Sequence, residues 1–257
     1  MCMTILQLNQ DKIELIIFAP KHKVKSLTKL QFNFDGAILS ESSCVRNLGV
    51  FFDQTLSMEQ HASAITKSCF HQFRNIGRIR SYITVDACKT LVCSLVTSRM
   101  DYGNALMYGV NVSIVSKLQR VQNIAARLVT HKKKYEHITP TLVVLHWLPF
   151  KFRCQYKLLL YAFKALHGLA PSYLGELIHF YKPARSLRSQ NAALIEMPKN
   201  ARTKIYGGRR FDVAAGTLWN SLPASLRNEQ SLEAFKKGLK THLFHNRFCE
   251  MSIDLDL

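Results

Sequence analysis

Apolar residues along this chain change their spacing once, near residue 57. Before that point the pattern suits strands. Residues 13–18 are a β-rich apolar run closed by Pro20, and Leu30, Phe32 and Phe34 alternate with polar neighbours. Asp35-Gly36 has the composition of a two-residue hairpin turn, and residues 45–52 offer a further strand in which Gly49 permits a bulge. From Ser57 the period is helical. Ser57 with Gln60 fits a capping box, and Met58, Ala62, Ile65, Cys69, Phe73, Ile76 and Ile79 fall on one stripe. A second helix is predicted from about Thr84, burying Leu91, Val92 and Leu95. A third places Ile114, Leu118, Val121, Ala125 and Leu128 on one face and turns Lys117, Arg120 and Arg127 elsewhere.

His131-Lys132-Lys133-Lys134 interrupts the helical period and reads as an exposed basic linker. Thr139 as N-cap with Pro140 at the first helical position starts a short helix. Further helices are predicted over 150–166, ending at Gly168, and over 171–181, 211–221 and 231–248. The last carries Glu233 early and lysines later, as the helix dipole favours. Residues 184–210 carry a poor signal and read as loops and short strands, and no internal repeat is evident. The expected fold is α+β and predominantly α. A small N-terminal antiparallel strand region (1–56) precedes a helical bundle (57–130) and a basic, mainly helical C-terminal region (131–257).

Composition adds one strong constraint. The 257 residues are 47% hydrophobic and 20% charged, ordinary for a globular chain and unlike a disordered one. The net charge of +18 and pI near 9.8 are not ordinary and point to a polyanionic partner. Most of the excess lies within residues 102–227, where 19 Lys and Arg face four acids. The 7 cysteines form no Cys-x-x-Cys pair, which suits a reduced, intracellular, soluble protein better than a disulfide scaffold. The N-terminus lacks the basic and apolar regions of a signal peptide. The best apolar stretch, residues 142–150, is too short to span a bilayer, so no membrane partner is expected.

Several segments stand in a recognisable order. Cys-Val-Arg-Asn-Leu-Gly-Val-Phe-Phe-Asp occupies 44–53, followed by Ser98-Arg99-Met100-Asp101-Tyr102-Gly103-Asn104 and Leu118-Gln119-Arg120-Val121-Gln122-Asn123. Leu145-His146-Trp147-Leu148-Pro149, Ala165-Leu166-His167-Gly168-Leu169-Ala170-Pro171, Leu218-Trp219-Asn220-Ser221-Leu222-Pro223 and Phe235-Lys236-Lys237-Gly238-Leu239-Lys240-Thr241-His242-Leu243-Phe244 come later. Together they resemble the C-terminal part of a non-LTR (LINE-type, jockey-like) retrotransposon reverse transcriptase, over nearly the whole chain. The resemblance implies a palm edge in the strand region, a thumb in the first helices and a C-terminal region beyond it. The stretch 8–14 resembles the segment just after the family's catalytic aspartates, with Lys12 at a position near its active site. Leu48-Gly49-Val50 resembles the hairpin that grips the primer end. The aspartate pair itself belongs upstream of everything matched here.

Polymerisation needs carboxylates that clamp two metal ions, and no two acids are adjacent in this chain. The expectation is therefore a catalytically inactive part of an RNA-directed DNA polymerase that retains electrostatic binding of RNA or an RNA–DNA hybrid. It needs no metal or other cofactor. Candidate phosphate contacts are Lys12, Arg74, Arg78, Arg80, Arg120, Arg127, Lys132, Lys133, Lys134, Lys151, Arg153, Arg209 and Arg210. Among them stand Tyr135, Phe150, Phe152, Tyr156 and Tyr181, for which core packing is the commoner role and base stacking the rarer. His242, His245 and Cys249 share a helical face but lack a fourth ligand at zinc spacing, so a metal site is not expected. For His146 and His167, packing or helix termination is the default. Two rival readings stand beside nucleic-acid binding: a structural or protein-interaction part whose exposed palm edge meets a protein partner, and the unselected product of a decayed element. The sequence leaves the oligomeric state open.

Overall fold

Where the chain's polar and apolar periods change, so does its structure. The computed structural model describes residues 13–27, 31–34, 37–182, 193–198 and 206–248. These form α1 (Lys21–Leu27), β1 (Gln31–Phe34), β2 (Ala37–Ser40), β3 (Cys44–Asn47), β4 (Val50–Asp53) and α2 (Glu59–Ile79). Then follow α3 (Val85–Val92), α4 (Ser98–Asp101), α5 (Val112–Thr130), α6 (Thr139–Val144), α7 (Phe150–Leu166), α8 (Ser172–Gly175), α9 (Phe211–Asn220), α10 (Ala224–Arg227) and α11 (Leu232–Phe248). The fold is thus α+β and predominantly α, with two small antiparallel hairpins on the N-terminal side. It divides into two compact units, Met1–Ser68 and Cys69–Leu257. The boundary falls within α2, and residues 130 and 131, between which the sequence suggests a division, lie together in the second unit.

In the first unit, β1 pairs antiparallel with β2, Phe34 opposite Ala37; the predicted turn residues Asp35 and Gly36 lie outside the described residues. Residues 45–52 form a hairpin, with Asn47 opposite Val50; the apolar run alone suggests one strand there, whereas the resemblance of Leu48-Gly49-Val50 suggests a hairpin. Leu48 (φ 46°) and Gly49 (φ 82°) both take the left-handed conformation that a tight hairpin turn requires. Residues 13–18 make no ladder. Only Leu15 bridges, in parallel, to Glu41, because Pro20 and α1 follow too soon for a longer strand.

At the N-terminus of α2 the predicted Ser57 takes part: its Oγ accepts from the backbone N–H of Glu59 (3.2 Å), the first residue of the helix. Asp53, not foreseen, holds the approach to the helix, its Oδ2 accepting from Ser57 N (2.9 Å) and its Oδ1 from Met58 N (2.8 Å). Burial pushes the Asp53 carboxyl upward, but the bonds from Thr55, Ser57 and Met58 outweigh it and hold the group below the ordinary carboxylate value. His61 is buried one turn into the helix, and neither ring nitrogen has a hydrogen-bond partner among the described residues.

In the second unit, Cys69, Phe73 and Ile76 of α2 are buried as the stripe predicts, while Ile79 is 44% exposed because the helix ends there. Thr84 caps α3 by accepting from Ala87 N (3.2 Å). The buried line is Cys88, Val92, Val96 and Met100, displacing the predicted Leu91 and Leu95. A π turn at Cys93–Thr97 underwinds the helix, so residues four apart stay on one face instead of drifting off it. On α5, Ile114, Leu118, Val121 and Ala125 are buried and Leu128 is half-buried. Thr139 proves to be the first residue of α6, with Ile138 as its cap and Pro140 second. The helix predicted over 171–181 shortens to α8.

The segments singled out in the sequence act as fasteners. Gln122 of α5 is buried and donates to Leu148 O (2.8 Å), while Gln119 Oε1 accepts from Phe150 N (2.8 Å) at the start of α7. These bonds satisfy groups that would otherwise be orphaned at the helix start, and they join α5 to α7 within one unit. Phe163, Trp219 and Phe235 stack at centroid separations of 4.4 Å (Phe163–Phe235) and 5.6 Å (Trp219–Phe235) in a core shared by α7, α9 and α11. Trp219 Nε1 donates to Ala193 O (2.8 Å), and the Asn220 amide pairs with Ile195 N and O (2.8 and 3.0 Å). His167 stacks on Phe163 at 4.0 Å where α7 ends, and Gly168 follows at φ 68°. Among the described residues, no helix is long and apolar enough to cross a membrane.

Candidate nucleic-acid interface

Cations that could meet a phosphate backbone must be exposed and not already committed to internal partners. Lys12 lies outside the described residues. Arg80 is only 6% exposed and fully occupied: Nε donates to Leu128 O (2.8 Å), Nη2 to Val129 O (2.8 Å) and Nη1 to Ile83 O (3.0 Å). The first two acceptors belong to the last turn of α5, where carbonyls lack helical partners and the dipole is negative. Arg80 is therefore a clasp between the ends of α2 and α5, a correction to its place among the phosphate contacts.

Other candidates are similarly engaged. Arg153 forms a two-pronged ion pair with Asp101, with Nε 2.8 Å from Oδ1 and Nη2 on Oδ2. Arg210 pairs with Asp212 at 2.5 Å. Arg209 donates to Leu106 O (3.2 Å) and lies over Gly109, where an added Cβ would come within 2.8 Å of its Cγ. Gly109 also holds φ 71°, so glycine serves there twice. Arg153 and Arg209 each tie together segments distant in sequence, which accounts for their positions without a ligand, whereas Arg210 pairs only two residues along the chain and stays half-exposed.

Several of the rest lie in segments fixed to the C-terminal end of α5. Arg127 reaches from α5 to Lys133 O (Nε, 3.3 Å) and Glu136 O (Nη2, 3.1 Å). Lys133 N donates to Glu136 Oε1 (2.6 Å), and Lys132 Nζ lies 4.0 Å from Glu136. The stretch expected to be an open linker is thus a loop pinned to the end of α5, just after His131 turns out of the helix at φ 56°. Arg80 pins the end of α2 to the same helix end. Arg74 and Arg78 of α2 and Lys133 and Lys134 of the loop are all exposed, and they belong to the two segments that these clasps fix to the end of α5. Both segments carry an exposed tyrosine: Tyr82 is 87% and Tyr135 80% exposed, and Lys133 Nζ sits 6.0 Å from the Tyr135 ring centre.

Exposed cations beside exposed rings form the arrangement that tracks single-stranded nucleic acid, because phosphates neutralise the one and bases stack on the other. Arg120 is exposed midway along α5. Exposed Lys151 belongs to the other end of that helix, beside Val112 and Val115. With 19 residues in α5, that end is roughly 28 Å away at about 1.5 Å per residue. Tyr82 was missed in the sequence, although it directly follows the run of arginines on α2. Of the aromatics named there, Tyr135 and Tyr181 are exposed, Phe150 is buried, and Phe152 and Tyr156 are half-buried against the core.

No group of three or more His, Cys, Asp or Glu placed to hold a metal ion occurs among the described residues, and Cys249 lies outside them. His242 Nε2 is instead 3.1 Å from Asn246 Nδ2, and burial with the neighbouring His245 holds its imidazole below the ordinary value. No protein-family model, curated protein or solved structure matches the chain.

Proposed function

We propose that this chain binds RNA or an RNA–DNA hybrid along its phosphate backbone without polymerising, as the palm-edge, thumb and C-terminal part of a protein like a non-LTR retrotransposon reverse transcriptase. One observation carries the binding. Arg80 and Arg127, both engaged internally, fix to the end of α5 the two segments that carry exposed Arg74, Arg78 and Tyr82 and exposed Lys133, Lys134 and Tyr135. Recognition is by charge and stacking, so sequence preference is weak. Fluorescence anisotropy with a labelled single-stranded RNA tests this. The paired change Tyr82→Ala and Tyr135→Ala is expected to weaken binding by about 1–3 kcal/mol for each ring that stacks a base. Unchanged affinity in that variant, with its fold intact, would refute the stacking role.

A second reading has its own support. Phe32, Phe34 and Ile38 are exposed on the β1–β2 hairpin, which suits a protein partner at the palm edge. It predicts that RNA affinity responds alike to the loss of any exposed lysine.

A further inference from the structure

A cavity of about 350 Å³ opens in the second unit, away from the clasped end of α5. Its walls come from distant parts of the chain: Asp101 at the end of α4 and Asn104 after it, His146 and Trp147 before α7, Tyr156 and Lys157 on α7, and Lys240 on α11. Its size lies within the range of about 300–1,000 Å³ typical of small-molecule sites. Arg153 also lines it but is neutralised by Asp101, so the ammonium groups of Lys157 and Lys240 are in excess over acids on this wall. The ammonium of Lys157 is itself held near an aromatic ring, 5.6 Å from the Tyr161 centroid.

The remaining lining is aromatic or apolar apart from Thr97 and Asn104. Asn104 is only 3% exposed; its Nδ2 donates to Asp101 Oδ1 (3.2 Å), and its Oδ1 has no hydrogen-bond partner among the described residues. A buried acceptor without a donor is costly, so a ligand bringing an N–H there gains more than the new bond alone. Two cations for a phosphate, flat side chains for a ring and one buried acceptor for an N–H on its edge suit a nucleotide.

We propose that this cavity is a nucleoside-monophosphate site, with Lys157 and Lys240 holding the phosphate and Asn104 accepting from the base edge. It does not rest on the backbone-binding surface, and either can fail without the other. Titration calorimetry on the full chain with AMP, CMP, GMP and UMP, their nucleosides and inorganic phosphate is the test. At least one monophosphate should bind saturably, with its nucleoside and inorganic phosphate each tenfold weaker or more. Lys157→Gln with Lys240→Gln should weaken it tenfold or more at unchanged thermal stability, whereas Lys133→Gln with Lys134→Gln should leave it unaltered. If the double variant unfolds, each single substitution carries the same expectation. Absence of saturable binding by all four monophosphates would overturn the proposal. So would equal binding by phosphate alone, or equal loss on changing Lys133 and Lys134.

Discussion

Replacing Arg80 by methionine keeps most of the side chain's apolar stem but removes all three of its hydrogen bonds. The Ile83 carbonyl belongs to a half-buried residue near the surface, where water can replace the lost donor. The carbonyls of Leu128 and Val129 close α5 and lose a charged donor at 2.8 Å each. Each such loss costs about 1–3 kcal/mol when the acceptor stays dry. Part of this is offset because a buried guanidinium no longer has to be desolvated. A net loss of about 3 kcal/mol is expected, which for a unit of this size lowers Tm by roughly 6–12 °C. The comparison variant is Arg78→Met, two residues away and exposed, where a change within about 0.5 kcal/mol is expected. Urea and thermal unfolding followed by far-UV circular dichroism measure both. If the two variants unfold together, Arg80 is not a clasp, and the argument that gathers the basic cluster fails with it.

Two further predictions concern titration. Burial holds the His61 imidazole below its ordinary 6.5, so the unfolded chain binds more protons than the folded one under mild acid. The stability this contributes is complete above about pH 6.5 and lost as pH falls through the folded value; unfolding midpoints measured from pH 7 to 5 should show that slope, and His61→Leu should reduce it, with partly buried His242 supplying the rest. Burial raises the Cys69 thiol to about 11 and the Cys154 thiol to about 12, so their contribution is complete below the unfolded thiol value and fades as pH climbs toward those figures. Pulsed alkylation with peptide mapping at pH 8 should accordingly modify exposed Cys93 well before Cys69 or Cys154, and equal rates would show that the core is open.

Periodicity made the long helices legible, and α7 begins and ends where the pattern predicts because its apolar face, Pro149 and Gly168 agree. It misled wherever one residue departs from regular geometry. The π turn after Val92 keeps Val96 and Met100 in line with Cys88 and Val92, and Leu48 at positive φ turns the chain where the apolar run alone reads as one strand. The first has no composition signal, and for the second only the resemblance of Leu48-Gly49-Val50 to a hairpin points to it. Ser57 caps α2 as its place in the pattern suggests, but the support from Asp53 is not legible because that residue lies at the end of a strand rather than beside the helix. For the candidate site, charge alone could nominate arginines but could not say which were engaged. Arg80 and Arg127 look identical to Arg78 in sequence; only the carbonyls that meet them across 48 residues or in the following loop tell them apart.

The most direct measurement is the salt dependence of single-stranded RNA binding in two triple variants. One neutralises Arg78, Lys133 and Lys134 to glutamine at the clasped end; the other neutralises Lys151, Lys182 and Lys237, exposed elsewhere in the second unit. At about 0.7 counterions released per phosphate, the first should flatten the slope of log K against log salt by about 2, and the second should leave it close to the unaltered chain's. Equal flattening by both would mean that the surface attracts RNA only as a diffuse cation, and the clasped end would not be a binding site.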